Sequence, residues 1–195
     1  MPKLLLTLAT LVIALHSAGC AAPVVVAGGA VAGAAMADRR SGNAIRDDQN
    51  IELQISKAIY KDKALKKNVH VNVTSFQGVV ILTGEAPNAD QRQQAAEHAR
   101  RVDKVNRVYN ELLLAPRSTL ESRSRDALLC TKLKSVLIGV KNVNPLHIKI
   151  VCEMQNVYLM GVVSREEATA ATEALRRVEG VKQVLTYFEY LNLNP

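Results

Sequence analysis

The sequence contains no tryptophan and only two phenylalanines among its 195 residues. Its hydrophobic cores must therefore be built from aliphatic side chains, and 48% of all residues are hydrophobic. Much of this hydrophobic content lies in the first 37 residues, which leaves a moderate amount for folded domains. The length is sufficient for one or two small domains.

The sequence also lacks the residue groupings that catalytic sites require. None of the four histidines has a second ligand at a spacing typical of metal sites, and no serine lies in a nucleophile elbow. The segment GVVILTG, residues 78–84, has two glycines but no lysine after them, so it is not a phosphate loop. We expect His70 and His147, which alternate with apolar residues or end a strand, to be exposed. These absences predict a protein that is not an enzyme and has no cofactor and no metal site.

The first 20 residues have the pattern of an export signal. Lys3 precedes an apolar run from Leu4 to Leu15, which is too short to span a bilayer, and small residues lead to Cys20. The pattern resembles a bacterial lipoprotein signal, which implies that residues 1–19 are removed and that Cys20 carries fatty acyl chains such as palmitate. Ala21, rather than Asp, follows the cysteine, and the same resemblance then implies the outer membrane. The alternative is an ordinary secretory signal with a free Cys20.

A tether is expected between the acylated cysteine and the first folded domain, over residues 20–46. Residues 21–37 are small and apolar, but Pro23 and three glycines weaken a helix, so a segment near the membrane is favoured over a second membrane helix. Removal of the signal takes away Lys3, so the mature chain would carry 7 − 1 = +6 formal charges. A basic protein at a membrane attracts anionic lipid headgroups. Because the protein is predicted to be exported from the cytoplasm, nucleic acid is not expected as its binding partner.

The rest of the chain contains one pattern twice. Residues 80–92 read VILTGEAPNADQR and residues 157–168 read VYLMGVVSREEA, each an apolar strand, a glycine, a break and a helix start. Gly84 and Gly161 mark the match, 161 − 84 = 77 residues apart. Apolar periodicity around them predicts the order αββαβ in each copy, hence an α+β fold with two tandem domains, each a three-stranded mixed sheet packed on two helices. The predicted boundaries are 47–115 for domain 1, 116–125 for a linker and 126–195 for domain 2.

The repeated unit resembles a BON domain, and two such units behind a lipoprotein signal resemble the DolP (YraP) family of outer-membrane lipoproteins. The segments that carry the resemblance are NVTSFQGVVILTGEAPNA, VYNE at 108–111, VYLMGVVSREEA and VEGVKQV at 178–184. One difference is the second hairpin turn, where Gln155 and Asn156 replace the family's glycine, although Asn accepts a left-handed turn. The resemblance implies a non-enzymatic protein that faces the periplasm, supports envelope integrity and is enriched at lipid-rich regions such as the division site.

The first helix of the second copy is expected to have a notable outer face. Its core stripe is formed by Leu129, Leu133, Val136, Leu137 and Val140. At about 100° of rotation per residue, the other side mixes apolar, cationic and hydroxyl side chains. These are Leu128, Thr131, Lys132, Lys134, Ser135 and Ile138. The family resemblance implies that this helix binds anionic phospholipids such as phosphatidylglycerol and cardiolipin, with Leu128 where the family often has Trp.

Other interpretations of this outer face remain open. It could be solvated surface, or it could be packed on the first domain. Leu128 and Ile138 could instead meet an envelope protein, as in a protein-binding or chaperone-like module. A hemolysin-like role is not favoured, because no segment is long and apolar enough to form a pore.

Two cysteines lie in the second copy. Cys152 continues the alternation of Ile148 and Ile150 and should face the helices, and the first strand should end near the helix start that contains Cys130. The periplasm is oxidising, so we predict a disulfide between Cys130 and Cys152. The alternative is a pair of buried thiols.

Overall fold

The structure is a computed structural model that describes residues 38–191. The predicted signal peptide, Cys20 and the tether up to residue 37 lie outside the described residues. All of the described residues belong to one compact unit. Among residues 38–191, no helix combines the length and the apolarity needed to cross a membrane.

The elements follow the predicted order, with short additions. The helices are α1 (Gly42–Lys61), α2 (Lys63–Lys66), α3 (Ala89–Arg100), α4 (Leu120–Ile138) and α5 (Arg165–Arg176), with a 3₁₀ turn at Pro145–His147. The strands are β1 (His70–Phe76), β2 (Val79–Ala86), β3 (Arg107–Asn110), β4 (Leu113–Leu114), β5 (Ile148–Glu153), β6 (Asn156–Val163) and β7 (Gln183–Tyr190).

Each domain has one mixed sheet. In the first, β2 pairs antiparallel with β1 and parallel with β3 and β4; in the second, β6 pairs antiparallel with β5 and parallel with β7. This arrangement confirms the predicted α+β class. The first sheet differs from the prediction in one respect, because its last strand is interrupted at 111–112. The interruption lies opposite Gly84, whose φ of 119° takes β2 out of the extended conformation.

Both long first helices begin earlier than the predicted domain boundaries. Helix α1 starts at Gly42, capped by the Ser41 side chain, and α4 starts at Leu120, capped by Thr119. The first turns of these helices lie within the segments predicted as tether and linker. These turns are polar, so apolar periodicity does not detect them. A serine or threonine cap marks a helix start even where the helix has no apolar stripe.

The hairpin turns show a second difference. The left-handed residues of the second turn are Met154 (φ 51°) and Gln155 (φ 63°), rather than Gln155 and Asn156, and Asn156 already belongs to β6. Buried Asp126 of α4 accepts hydrogen bonds from the backbone N–H groups of both turn residues, each at 2.9 Å. Asp48 of α1 accepts in the same way from Gln77 and Gly78 in the first domain, at 2.9 and 3.0 Å. These bonds offset the cost of left-handed backbone at residues other than glycine.

The helix-facing cores of both domains are aliphatic, as the composition requires. In domain 1, the core members include Ile51, Ile55, Leu65, Val80, Leu82 and Leu112. In domain 2, they include Leu133, Leu137, Ile150, Val157, Leu159 and Leu175.

The opposite faces of the two sheets pack against each other. Phe76 and Ile81 of domain 1 and Tyr158 and Met160 of domain 2 are all buried in one cluster. The ring centroids of Tyr109 and Tyr187 are 4.6 Å apart in the same interface. The sheets therefore form the two inner layers of this unit and the helices the outer layers, which leaves the outward face of α4 free of the first domain's sheet.

Candidate functional site

Helix α4 separates its core side from its solvent side. Leu129, Leu133 and Leu137 are at most 8% exposed and point into the core of domain 2. Their spacing of four residues keeps them on one side of an α-helix. The remaining sides of α4 are available for contact with something outside the domain.

All six residues predicted for lipid contact lie on that exposed surface, namely Leu128, Thr131, Lys132, Lys134, Ser135 and Ile138. Leu128 is 72% exposed and Ile138 is 71% exposed. Single exposed apolar residues are common on proteins, but large side chains this open are concentrated on α4 more than on any other described element.

Sequence reasoning missed one further member of this surface, Leu120, which is 74% exposed. Leu120 and Ile138 are 138 − 120 = 18 residues apart, or about five helical turns, so they lie on the same side of the helix. Leu120 was not detected because it falls within the predicted linker. The capping signal of Thr119 could have located it.

The polar residues of this face differ in their hydrogen-bond partners. The Thr131 hydroxyl donates to the Ala127 carbonyl at 3.0 Å, and the Ser135 hydroxyl donates to the Thr131 carbonyl at 3.2 Å, so both turn back onto the helix. Lys132 Nζ donates to the Glu179 carbonyl at 3.3 Å. Lys134 is exposed and has no hydrogen bond or ion pair with any described residue. Of the two lysines, Lys134 is therefore the one whose ammonium is most available to an external phosphate.

The segment that precedes α1 is attached to both domains. Arg39 donates to the Val162 carbonyl at 2.8 Å and forms an ion pair with Glu167 at 2.8 Å, both in domain 2. Arg40 forms an ion pair with Asp48 of α1 at 3.1 Å. Arg39 and Ile138 also line one shallow groove, so the chain enters the folded unit beside the C-terminal end of α4.

The structure joins Cys130 of α4 to Cys152 of β5 in a disulfide, with their Cα atoms 5.7 Å apart. The bridge fastens the middle of α4 to an outer strand of the second sheet. It holds the candidate face in a fixed orientation on the domain.

The prediction that His70 and His147 are exposed is wrong. His147 is 8% exposed and its Nδ1 lies 3.3 Å from Glu167 Oε1, while the His70 Nδ1 lies 3.2 Å from Glu85 Oε2. A Cβ atom at Gly84 or Gly161 would collide with the carbonyl oxygen of the corresponding histidine. The close approach of two backbones explains why glycine recurs at these two equivalent positions of the repeat.

Although sequence spacing gives His70 no second ligand, two glutamates from other strands lie near its imidazole. The side chains of His70, Glu85 and Glu153 meet where the two sheets face each other. Burial is the largest cause that lowers the pKa of His70, and burial raises the pKa of Glu153 to about 7. His70 and Glu85 are register partners in the β1–β2 hairpin, and the packing of the two domains brings Glu153 of β5 beside them.

Comparison with known proteins agrees with this architecture. Residues 47–116 and 125–192 each match the BON domain family. The chain is 36% identical to outer membrane lipoprotein DolP of Haemophilus influenzae, over 89% of this chain and 90% of that protein. It is 30% identical to the 21 kDa hemolysin of Actinobacillus pleuropneumoniae over 79% of each. The chain therefore belongs to the BON-domain family, and within it to the outer-membrane lipoproteins of the DolP family.

The names of these relatives describe a lipoprotein and a hemolysin, which suggests a non-catalytic family. Among solved structures, the C-terminal domain of CdsD from the type III secretion system of Chlamydia trachomatis is 10% identical, with 71% of this chain and 96% of that chain covered. Its TM-score of 0.31 is too low to carry an argument.

Proposed function

We propose that this lipoprotein faces the periplasm and binds anionic phospholipids, such as phosphatidylglycerol and cardiolipin, through the outward face of α4. The observation that carries the proposal is the exposure of Leu128 and Ile138, at 72% and 71%, beside the unpaired Lys134. Apolar side chains next to a cation suit the boundary between acyl chains and phosphate headgroups. Such contact would support the integrity of the cell envelope at lipid-rich regions, including the division site.

The attachment of the N-terminal segment supports this proposal. Because Arg39 is bound beside Ile138, the sequence that leads back to Cys20 leaves the folded unit close to the C-terminal end of α4. Acyl chains on Cys20 would keep the folded unit at the bilayer surface, within reach of the lipid headgroups.

The expected affinity of the face alone is low. Burial of one leucine and one isoleucine contributes about 1.5–3 kcal/mol each, and each lysine near an anionic surface contributes about 1 kcal/mol. These gains of about 4–8 kcal/mol are largely offset by the cost of association. An anchor on the same molecule makes the contact intramolecular, so a weak site is sufficient in the anchored protein.

The test is co-sedimentation of residues 34–195, which include the whole described unit, with vesicles that contain or lack phosphatidylglycerol and cardiolipin. We expect binding to the anionic vesicles only, with a decrease at high salt because the lysine contribution is screened. Leu128→Asp and Lys134→Glu should each abolish most of this binding. Matched controls on α1 are Leu53→Asp, at a leucine that is 51% exposed, and Lys57→Glu, and both should bind as the parent does.

Two results would contradict the proposal. Equal losses in the α1 and α4 variants would mean that net charge, rather than the α4 face, determines binding. No binding of the parent protein, even with lipid in the large excess that fills a weak site, would remove the lipid role, and the face would then be better explained by contact with an envelope protein.

A further inference from the structure

Three side chains of ligand type meet between the sheets of the two domains. His70 begins β1, Glu85 lies near the end of β2, and Glu153 ends β5. One nitrogen or oxygen atom from each can be chosen so that all three lie within 4.8 Å of one another. The first two residues belong to domain 1 and the third to domain 2.

The separations are close to those that a small cation requires. His70 Nδ1 lies 3.2 Å from Glu85 Oε2 and 3.8 Å from Glu153 Oε1. Zinc bonds of about 2.0–2.2 Å in a tetrahedral site place neighbouring ligand atoms roughly 3.3–3.5 Å apart. Shifts of a few tenths of an ångström would bring the three groups to bonding distance of one ion.

Each carboxylate is held through one oxygen and leaves the other without a partner. Asn72 donates to Glu153 Oε2 at 2.6 Å, and the Ser118 backbone N–H donates to Glu85 Oε2 at 3.0 Å. Glu85 Oε1 and Glu153 Oε1 have no hydrogen-bond partner among the described residues, although the two side chains are only 0% and 2% exposed. Unpaired buried carboxylate oxygens are costly, and outer hydrogen bonds of this kind orient metal ligands.

The equivalent histidine of domain 2, His147, lies beside a glutamate whose charge is paired. There the glutamate beside the histidine, Glu167, forms an ion pair with Arg39 at 2.8 Å. Within residues 38–191, no lysine or arginine forms an ion pair with Glu85 or Glu153. The site between the sheets therefore has two buried carboxylates and an imidazole, and no protein cation in contact with them.

We propose that His70, Glu85 and Glu153 bind one divalent transition-metal ion of the zinc type, which links the two domains. An imidazole ligand favours zinc over magnesium or calcium, and carboxylate oxygens are ordinary zinc ligands. Three protein ligands leave a fourth position for water. Because Glu153 comes from the second domain, the ion would stabilise the association of the sheets.

The test is zinc binding to residues 34–195, prepared without a histidine tag and stripped with EDTA. Titration with Zn²⁺ alone should give one ion per chain and raise the melting temperature, and Co²⁺ should give the visible absorption of tetrahedral cobalt. Glu153→Gln, which keeps the shape of the side chain, should weaken the zinc affinity more than about tenfold. The matched control is His98→Asn on α3, away from the cluster, where half-buried His98 Nε2 lies 2.9 Å from Asp62 Oδ2, and it should keep the binding.

Absence of stoichiometric zinc binding in the parent protein would overturn the proposal, whatever the stability of the variants. Binding that survives Glu153→Gln in a folded protein, or that is lost in His98→Asn, would also overturn it by placing the ion elsewhere. Circular dichroism would establish that Glu153→Gln is folded, and Glu85→Gln provides a second variant with the same expected loss.

Discussion

At the scale of residues, two buried aspartates determine how the hairpins turn. Asp48 and Asp126 occupy equivalent positions on the first helices of the two domains and bind both N–H groups of the following turn. The turn in domain 2 contains no glycine, so its left-handed Met154 and Gln155 depend on Asp126 more than a glycine turn would. From the sequence, an aspartate in the polar first turns of a helix is expected to be exposed to solvent. Only the comparison of the two repeats indicates that both aspartates have a structural role.

We predict that Asp126→Asn destabilises the protein by about 1–3 kcal/mol, because one amide oxygen cannot replace two carboxylate acceptors for the two partly buried N–H groups. Urea unfolding of the variant measures the loss. Exposed Asp103→Asn is the matched control and should unfold as the parent does. An unchanged midpoint for Asp126→Asn would show that the turn forms without this residue.

At the scale of elements, α4 was the best predicted part of the candidate site. Its core stripe and its outward residues followed from helical periodicity, because a buried aliphatic stripe fixes which side faces away. Leu120 did not follow, because the first two turns of α4 have no such stripe. The position of His70 did not follow either, since alternation along a strand does not distinguish a face that meets solvent from one that meets another sheet. His147 lies in the 3₁₀ turn before β5, where strand alternation carries no information.

For the bridge between α4 and β5, we predict a disulfide in protein recovered from the periplasm. Mass spectrometry without reduction should find Cys130 and Cys152 joined, and free thiols at both positions would contradict this. The bond closes a loop with a sequence separation of 22 residues. Chain entropy gives it about 3 kcal/mol of stability, so replacement of both cysteines by serine should lower the unfolding midpoint.

At the scale of the whole molecule, the packing of the two sheets was not predictable from the repeat. The inner faces combine Phe76, Tyr158 and Met160 with polar residues such as Thr83 and Glu85, and all of these are buried. A mixture of this kind is typical of a solvated face until a partner covers it. The αββαβ order of each domain was predictable because it depends on local periodicity, whereas the interface depends on contacts between distant residues.

The interface predicts a pH dependence for the metal-free protein. Burial raises the pKa of Glu153 to about 7, with Glu85 and Asp126 acting in the same direction and Asn72 and Arg123 against it. Because the pKa of Glu153 is higher in the folded state, the folded protein keeps this proton at a pH where the unfolded chain has already released it. The resulting stabilisation of the folded state is complete below pH 4.5 and is lost as pH rises through 7. The loss is on the order of 3 kcal/mol.

Urea unfolding in EDTA at pH 5.5 and pH 8 measures this effect. The parent protein should be less stable at the higher pH, and Glu153→Gln should show a smaller difference between the two. Equal dependence in both proteins would assign the pH effect to other groups.

The most direct test of the account is whether the α4 face enters an anionic bilayer. Because the chain has no tryptophan, Leu128→Trp provides a single fluorescent reporter on that face, and Tyr60→Trp provides one at an exposed position of α1. With phosphatidylglycerol vesicles, the account predicts a blue shift and quenching by brominated acyl chains for Leu128→Trp, and neither for Tyr60→Trp. An unchanged spectrum for Leu128→Trp, or an equal response from both variants, would contradict a lipid site on α4.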